Sequence, residues 1–396
     1  MQNEDPVVIT SARRTPLGGF QGALSNLTAS ELGAVAIQAA LETSRLEPAA
    51  IDEVIMGCVL PAGQGQAPAR QAALAAGLPL GTNCTTVNKM CGSGMKAAMF
   101  AHDILLAGSA KVAVAGGMES MTNAPYLLPK ARGGMRMGHG QTMDHMFLDG
   151  LEDAYDKGKL MGCFAEDTAS HYKFTREAQD EFALKSLALA KNAIDNGDFD
   201  NEVAPVTVKS RKGEDVVSHD EQPHKAKPEK IPTLRAAFAK DGTVTAANAS
   251  SISDGAAALV MMRQSECDAR GLTPLARILG HTTHAHEPEW FTTAPVQAMR
   301  KLFEKLNFTQ SDIDLFEVNE AFAVVTMAAI KELDLPADKV NIHGGACALG
   351  HPIGASGARI LTTLLHALRN QGLSRGMASL CIGGGEATAM AIEIIK

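Results

Sequence analysis

The sequence predicts an α/β fold in which two copies of one strand-and-helix unit pack as a pair, with a segment of different character inserted into the first copy. Three observations predict it. Strand-like apolar runs alternate with runs of helical periodicity, three motifs recur in both halves, and strand patterns weaken between residues 121 and 250. We expect the first copy at residues 1–120 with 251–270, the inserted loop domain at 121–250 and the second copy at 271–396.

The elements follow in order from local patterns. Short apolar runs predict strands at residues 7–10, 51–57, 111–115, 256–262, 276–280 and 313–318. Apolar residues at helical spacing predict helices at residues 29–41, 69–76, 95–105, 176–196, 321–330 and 358–365. Thr28 or Ser30 can cap the first helix, and Thr175 can cap the fourth. Arg13-Arg14 and Gly116-Gly117 are expected to end the first and third strands.

Three motifs of the first half recur in the second half at nearly constant spacing. The matched segments are residues 51–57 with 313–319, Ser93-Gly94 with Ser356-Gly357, and 114–119 with 381–386, at offsets of 262, 263 and 267 residues. Equivalent loops of a pseudo-symmetric pair converge near its axis. We therefore expect Cys91, Asn319, His351 and Cys381 to share one pocket, although up to 290 positions separate them.

The composition argues against several classes of protein. The formal charge is −8 and no basic stripe runs through the chain, so a nucleic-acid partner is not expected. No apolar run approaches the about 18 residues that span a bilayer, and residues 1–5 resemble neither a signal peptide nor a transit peptide. The seven cysteines lack CxxC spacing, so we expect no structural zinc and no disulfide framework. A reducing, cytoplasmic setting with free thiols fits these features.

A glycine-rich stretch at residues 341–357 contains His343 and His351. Six of its seventeen residues are Gly or Ser, and residues 358–365 continue it with a helical apolar pattern. Glycine is used where backbone approaches another group closely or takes positive φ. We interpret the stretch as a tight loop that feeds a helix and presents His351. An ordinary turn that contains a histidine is the alternative.

Cys91 lies between Asn88-Lys89-Met90 and Gly92-Ser93-Gly94, immediately before a predicted helix. The free N–H groups and the dipole of a helix N-terminus favour an anion, so this position is expected to lower the pKa of the thiol. The flanking glycines favour a reactive cysteine. A buried, inert cysteine that packs as a small apolar residue is the other interpretation.

These residues form a set suited to acyl transfer. His351 can take the proton of Cys91, and the thiolate can attack a carbonyl carbon. Cys381 can act as a second acid or base, and backbone N–H groups in Cys91-Gly92 and Gly383-Gly384 are candidate donors to an oxyanion. Proteolysis fits less well because it needs no second thiol. The histidines among residues 281–286 have no cysteine or clustered carboxylates beside them in the sequence, so we expect no metal site.

Four ordered motifs carry a resemblance to a known family. They are residues 88–94, residues 319–323, the 344–357 stretch with Gly350-His351-Pro352, and residues 381–385. Through them the whole chain resembles the thiolases, and among these the acetyl-CoA C-acetyltransferases. The resemblance implies two βαβαβαββ halves in a five-layered αβαβα body, plus a loop domain that holds coenzyme A. It implies no prosthetic group, with coenzyme A and acyl-CoA as substrates.

The resemblance also implies a ping-pong Claisen reaction, either condensing two acetyl-CoA to acetoacetyl-CoA and CoA or running in reverse as thiolysis. Cys91 would carry the acyl group after His351 removes its proton, and Cys381 would move the α-proton. His351 and a water held by Asn319 would stabilise the enolate. N–H groups of Cys91 and Gly383 would hold the tetrahedral intermediate.

Further implied residues contact coenzyme A. They are Met161, His224, Ala246, Ser250, Ala321 and Phe322. A homo-oligomer is implied, with a tetramer favoured over a dimer. Short-chain members usually have histidine where Leu160 stands, a Met-Gly-x-Gly-Pro motif at residues 291–295 and an arginine near His224. A longer 3-oxoacyl-CoA of fatty-acid degradation therefore stays open as the substrate.

Two further hypotheses belong to other classes. A decarboxylating ketosynthase of the related superfamily generally needs a second catalytic histidine where this chain has Cys381. A catalytically silent scaffold that binds acyl-CoA should have lost one of the chemical residues, yet Cys91, Asn319, His351 and Cys381 are all present. The sequence leaves open the direction of the reaction and a hydratase–dehydrogenase partner.

Overall fold

The computed structural model describes residues 5–211 and 213–395 and is a mixed α/β structure. Its strands are β1 Val7–Arg14, β2 Gly18–Gly19, β3 Glu53–Gly57, β4 Asn83–Val87, β5 Val112–Ser120, β6 Tyr126–Leu127, β7 Met143–Asp144, β8 Val206–Ser210, β9 Gly213–Val217, β10 Ser253–Arg263, β11 Ala276–Ala285, β12 Leu315–Val318, β13 Arg375–Ile382 and β14 Glu386–Ile394. Its α-helices are α1 Ala29–Ser44, α2 Pro68–Ala75, α3 Ser93–Leu106, α4 Met161–Tyr172, α5 Arg176–Asp195, α6 Gln222–Lys225, α7 Gln264–Ala269, α8 Ala294–Leu306, α9 Ala323–Leu333, α10 Ala346–Leu349 and α11 Ile353–Asn370.

Ten strands form one continuous sheet. Its order is β12-β13-β14-β11-β1-β10-β5-β3-β4, and β2 pairs with β10. β1 and β11 join the two parts of the sheet through a short contact, in which Val8 pairs with Arg277 and Ile9 with Ala276. Each side of this contact is therefore a half-sheet with its own internal pairing.

Four strands of each half-sheet share one topology, as the repeated motifs predict, whereas β2 and β4 of the first half-sheet have no counterpart among the strands of the second. β3 is parallel to β5, which is followed by antiparallel β10 and β1. In the second half β12 is parallel to β13, which is followed by antiparallel β14 and β11. The helix contact is reciprocal too. A Cβ on Gly94 would lie 2.8 Å from the Ala358 nitrogen, and a Cβ on Gly357 would lie 2.3 Å from the Met95 nitrogen.

Five layers are stacked in this structure. α1 and α2 cover the first half-sheet, α8 and α9 cover the second, and α3 and α11 lie between the two half-sheets. Three apolar clusters fill the interfaces. The central cluster joins Met95 and Leu105 of α3 to Leu361 and Leu365 of α11, and burial stabilises such side chains by about 1.5–3 kcal/mol each. The αβαβα body that the resemblance implies is confirmed.

The predicted helix caps are present. Thr28 forms a capping box with Glu31 at the start of α1, so it takes the role that Ser30 could also have filled. Thr175 Oγ1 accepts a hydrogen bond from the Ala178 N–H at 3.2 Å at the start of α5. Both threonines satisfy backbone donors that the helix itself leaves free.

Two strands extend beyond their predicted ends. β1 continues through Arg14, whose guanidinium is fully buried between the carboxylates of Glu202 and Asp220. β5 continues through Gly116 and Gly117 and pairs with β10 along its whole length. The predicted strand ends are wrong for two physical reasons. Paired carboxylates compensate the arginine charge, and close packing requires the glycines, because a Cβ on either would lie 2.1 Å from a backbone oxygen.

The chain between β5 and β10 carries short elements around the longer helices α4 and α5. Two separate two-stranded sheets, β6–β7 and β8–β9, lie in this part. β9 is largely exposed, in a charged stretch where the strand pattern is too weak to predict it. Glu202 from this segment accepts a hydrogen bond from Thr363 of α11 at 3.0 Å, so the segment packs against the central helix layer. Within residues 5–211 and 213–395, no helix is long and apolar enough to cross a membrane.

Candidate active site

A cavity of about 370 Å³ opens where loops of both halves meet the inserted segment. Most of the predicted site residues line it: Cys91, Met161, Ala246, Ser250, Ala321, Phe322, His351 and Gly383. Apolar side chains, among them Leu151, Leu160, Phe238, Ile252 and Phe291, form much of the remaining wall. The duplicated scaffold therefore brings a cysteine and a histidine from opposite halves to one cavity.

Cys91 occupies a tight turn between β4 and α3. Ser93 Oγ closes this turn by accepting a hydrogen bond from the Lys89 N–H at 2.8 Å. Gly92 is required for the close approach of the second half, because a Cβ there would lie 2.3 Å from Ile382 Cδ1. The turn holds Cys91 at the cavity wall against the loop between β13 and β14.

The environment of the Cys91 thiol raises its pKa. Burial raises this pKa to about 11, whereas hydrogen bonds from the N–H groups of Gly383 and of Cys91 itself lower it. The prediction that the start of α3 lowers the pKa is wrong, because desolvation of the thiolate outweighs the helix dipole and the backbone donors. The resting thiol is therefore protonated at neutral pH, and it needs a base to become a nucleophile.

The His351 imidazole is held in one orientation. His351 Nδ1 lies 2.6 Å from Ser356 Oγ, and that hydroxyl donates to the Pro352 carbonyl at 3.0 Å. The hydroxyl proton is thus engaged, so we assign the imidazole proton to Nδ1, donating to Ser356. Nε2 then carries the free lone pair, and it has no hydrogen-bond partner among the described residues. Burial and the charge of Arg359 lower the pKa of His351 to about 3, which keeps the ring neutral.

Asn319 lies behind His351 rather than in the cavity wall. It follows the end of β12, and its N–H donates to the Ser379 carbonyl at 3.0 Å. Its Nδ2 lies 3.5 Å from His351 Nδ1, while its buried Oδ1 has no partner among the described residues. The structure therefore brings Asn319 beside the imidazole, and its side-chain oxygen Oδ1 can still accept a hydrogen bond.

Cys381 is completely buried near the end of β13. It packs in an apolar cluster with Phe291, Ala321 and Phe322, just beneath the cavity wall. Burial raises the pKa of its thiol well above the ordinary value, and the nearby Cys91 thiol raises this pKa further. The two sulfur atoms are thus close enough to influence each other's charge, as the repeat predicts.

Backbone contacts fix the wall formed by the other predicted residues. The Ser250 N–H donates to the Ala321 carbonyl at 2.9 Å, which joins the inserted segment to the start of α9. Met161 begins α4, and its sulfur would lie 3.4 Å from a Cβ on Gly383. Ala246 lies in the same wall. The loops of the two halves and the inserted segment therefore touch around the entrance to the thiols.

Two aromatic wall residues were not predicted from the sequence. The rings of Phe238 and Phe291 pack edge-to-face against Phe322, with centroids 6.1 Å and 6.5 Å away. Phe238 belongs to no motif or repeat, and Phe291 stands at the first position of the Met-Gly-x-Gly-Pro motif from which this chain departs. Their grouping depends on how the inserted segment, which holds Phe238, packs against the loop before α8, and local periodicity does not predict this packing.

Among the predicted coenzyme A contacts, His224 does not line this cavity. Its Nε2 is 3.2 Å from Asp195 at the protein surface. A second cavity, of about 690 Å³, shares Ala246 with the first and is lined by three lysines instead. These are Lys225, Lys227 and Lys230. The close spacing of these three lysines in the charged stretch could have predicted, from the sequence, where an anionic part of the substrate binds.

Glu119 is a buried carboxylate that sequence reasoning missed. Its oxygens accept hydrogen bonds from the N–H groups of Val59 at 2.9 Å, Leu60 at 3.1 Å and Gly354 at 2.8 Å. Gly354 lies in the first turn of α11, three residues after His351. Burial raises the pKa of Glu119 to about 7 although these donors lower it. The carboxylate therefore ties the loop after β3 to the helix that follows the imidazole.

The duplicated α/β fold and a pocket with two thiols and one neutral imidazole define a protein of the acyl-transfer class. The thiolase N-terminal domain family matches residues 7–265, and the thiolase C-terminal domain family matches residues 272–394. The chain belongs to the thiolase family.

Similar proteins agree along nearly the whole length. An acetyl-CoA acetyltransferase of Chromobacterium violaceum is 48% identical over 98% of this chain and 99% of the relative. An acetyl-CoA acetyltransferase of Escherichia coli is 50% identical over 98% of both chains. The crystal structure of the Bacillus anthracis acetyl-CoA acetyltransferase superposes with a TM-score of 0.96 at 44% identity, covering 99% of both chains. The Acat5 thiolase from Ascaris suum in complex with coenzyme A gives a TM-score of 0.93 at 43% identity, covering 98% of this chain and 100% of the other.

Proposed function

We propose that this protein is an acetyl-CoA C-acetyltransferase that condenses two acetyl-CoA to acetoacetyl-CoA and free coenzyme A, and catalyses the reverse thiolysis. The observation that carries the proposal is the unpartnered Nε2 of His351 in the same cavity wall as the Cys91 thiol, with Cys381 directly beneath. The names of the similar proteins favour acetyl transfer over the longer-chain alternative.

In the first half-reaction His351 Nε2 takes the proton of Cys91, and the thiolate attacks the thioester carbonyl of acetyl-CoA. The oxyanion of the tetrahedral intermediate lies against the N–H groups of Cys91 and Gly383. Collapse breaks the bond to the coenzyme A sulfur, which leaves with the proton of Cys381. Cys91 then carries the acetyl group, His351 keeps the extra proton and Cys381 is a thiolate.

In the second half-reaction the Cys381 thiolate removes an α-proton from a second acetyl-CoA. Protonated Nε2 of His351 and a water held by Asn319 Oδ1 stabilise the enolate oxygen that forms. The enolate carbon attacks the acetyl carbonyl on Cys91 and forms the new carbon–carbon bond. The Cys91 thiolate leaves and recovers its proton from His351, so every group returns to its starting protonation state.

Coenzyme A is proposed to span both cavities. Met161, Ala246, Ser250, Ala321 and Phe322 would contact the pantetheine arm, because they form the wall beside the thiols. The phosphates would lie toward the second cavity with its three lysines, and His224 would lie at the outer edge of this region. The segment 121–250 would thus form the coenzyme A loop domain between the copies at 1–120 with 251–270 and at 271–396. We further propose a homo-oligomer, a tetramer rather than a dimer, that works in the cytoplasm.

Mass spectrometry after incubation with acetyl-CoA tests the proposal. Wild-type protein should gain one acetyl group on Cys91, and Cys91→Ala should gain none there. Cys381→Ala should still be acetylated, because coenzyme A can leave as a thiolate that takes its proton from water. It should form no acetoacetyl-CoA, because no base remains for the α-proton. Cys163→Ala serves as a control for loss of a thiol elsewhere. Wild-type protein that gains no acetyl group on Cys91 would refute the proposal.

A further inference from the structure

Away from the catalytic cavity, three metal-ligating side chains from both halves converge at one point. His102 and Asp103 are consecutive in α3, and His281 lies in β11. His102 Nδ1 is 2.9 Å from Asp103 Oδ1 and 3.2 Å from His281 Nε2. His281 Nε2 is 3.0 Å from the same Asp103 oxygen. The three donor atoms therefore form a nearly equilateral triangle.

This triangle has about the size of one face of a tetrahedral zinc site. Zinc binds imidazole nitrogen and carboxylate oxygen at about 2.0–2.2 Å, which separates tetrahedral ligands by about 3.3 Å. The three observed separations are only slightly shorter than this value. Neighbouring side chains on a helix normally point in different directions, yet His102 and Asp103 both turn toward His281.

Hydrogen bonds can account for two of the three contacts, and the third pair of atoms then lies at van der Waals distance. Two neutral imidazoles supply at most one proton each, and the ionised carboxylate supplies none. If both protons point at Asp103, the nitrogen atoms of His102 and His281 face each other with no proton between them. If His281 donates to His102 instead, a nitrogen lone pair faces the carboxylate at 2.9 Å. A cation can bind all three atoms at once when each imidazole carries its proton on the other ring nitrogen, which leaves a lone pair on His102 Nδ1 and on His281 Nε2.

We propose that His102, Asp103 and His281 bind a divalent transition-metal ion, with Zn²⁺ as the fitting species. The imidazole side chains are only 15% and 14% exposed, whereas the Asp103 side chain is 54% exposed. The triangle therefore has a closed protein side and an open side, where water completes the tetrahedron. Borderline nitrogen ligands with one carboxylate suit zinc better than calcium or magnesium.

The bound ion would join the two halves of the protein rather than take part in the chemistry. Two ligands belong to a helix of the central layer, and the third belongs to a strand of the second half-sheet. None of the three lines the catalytic cavity. Zinc binding should therefore raise the thermal unfolding temperature and leave the turnover of acetyl-CoA unchanged.

The test uses the full-length protein and zinc chloride. Samples for metal analysis are first treated with iodoacetamide, so that accessible thiols cannot bind the metal. Turnover is measured on untreated protein with and without zinc, because alkylation would block Cys91. After dialysis, elemental analysis should find one zinc per wild-type chain and none in His102→Ala or Asp103→Ala. Loss of a direct ligand should weaken binding by more than the about 10-fold to 100-fold that loss of an outer-shell partner costs. His139→Ala, which removes an exposed histidine outside the cluster, is the matched control and should bind like wild type.

Two further measurements make the result decisive. Co²⁺ in place of zinc should give the intense visible absorption of a tetrahedral site in wild-type protein and not in Asp103→Ala. Added zinc should raise the unfolding temperature of wild type and of the control, but not that of His102→Ala or Asp103→Ala. These two variants test binding even if His281→Ala fails to fold. Equal zinc uptake by wild type and both ligand variants, or no uptake by wild type, would overturn the proposal.

Discussion

α3 and α11 are equivalent helices of the two copies, yet their surroundings differ strongly. The residues of α11 are buried from Ile353 through Leu368. α3 instead keeps one open face, where Phe100 is 40% and Leu106 is 36% exposed. The inserted segment covers α11 through contacts such as Thr363 with Glu202. The two copies have thus kept the matched Gly94 and Gly357 at the contact between the helices, although α11 begins three residues before the equivalent of Ser93. The sides of the two helices have taken on different roles.

The helix starts themselves carry complementary chemistry. The turn before α3 presents Cys91 at the cavity wall, whereas the loop before α11 holds a His351 ring that is 5% exposed and bonded to Ser356. In the proposed reaction, one copy supplies the nucleophile and the other supplies its base. The difference teaches that a repeated scaffold can place unlike groups face to face without any local sequence relation between them.

Removing the base on the α11 side should have the largest effect. His351→Ala is expected to lower kcat by about 10²- to 10⁴-fold, because nothing then accepts the Cys91 proton. Rapid-quench measurement of acetyl-enzyme formation checks this result. His343→Ala removes the other histidine of the same stretch and should acetylate at nearly the wild-type rate. Equal losses in the two variants would contradict the assignment of His351 as base.

Replacing the glycines where α3 and α11 touch should test whether each helix needs the glycine of the other. Gly357→Ala should destabilise the fold by about 1–3 kcal/mol, because the new methyl group would collide with the Met95 backbone. Gly94→Ala should cost less, since its Cβ meets Ala358 at 2.8 Å rather than 2.3 Å. Urea unfolding measures both values. Gly81→Ala is the control, because a Cβ there meets none of the described atoms within 4 Å.

The pH dependence of stability should separate the buried groups of the two copies. His351 has a pKa of about 3 in the fold and an ordinary value of 6.5, so below pH 6.5 the unfolded chain binds a proton that the folded chain does not. Wild type should lose up to about 1.4 kcal/mol per pH unit relative to His351→Asn as the pH falls from about 6.5 toward 3. Denaturant titrations at several pH values measure this difference.

Glu119 should show the opposite sign in the same titrations. Its pKa rises from 4.5 to about 7 on folding, so the folded protein binds the extra proton and loses this stability as the pH rises through that window. Compared with Glu119→Gln, wild type should become relatively less stable from pH 4.5 to 7. The same sign for both residues would show that one of the two environments is misassigned.

The smallest effects should come from the sides of the helices, at equivalent positions 100 and 363. Thr363→Val should cost about 1 kcal/mol, because the buried Glu202 loses one of its donors. Phe100→Ala should cost less, since Phe100 is 40% exposed and the Lys96 ammonium lies over its ring, 4.4 Å from the centroid. Thermal unfolding of the two variants compares them directly, and a larger loss at position 100 would remove the contrast.

Sequence reasoning predicted the parts of the fold that local rules decide. Thr28 and Thr175 cap helices where the capping rules place them. The offset of 263 residues matched Gly94 with Gly357, and the structure places both residues at the contact between α3 and α11. The same repeat led to the shared location of Cys91 and His351. These features depend on spacing, which the chain shows directly.

The features that the sequence did not predict share one physical cause. Each depends on residues that are remote in the chain. Arg14 remains in a strand only because Glu202 and Asp220 neutralise it. The thiol pKa of Cys91 depends on how much water the other half excludes. His102 and His281 stand 179 positions apart and belong to no motif, so their meeting is visible only in the fold.

The central helix layer has a consequence for the independence of the two copies. Neither half encloses its own core, since α3 and α11 bury their apolar faces in one cluster that both half-sheets cover. If the backbone were cut in the loop after α7, each fragment would expose the apolar surface of its central helix. The first fragment would hold Cys91, and the second would hold His351 and Cys381. Activity should return only when both fragments are refolded together. Neither copy could therefore fold and function without the other.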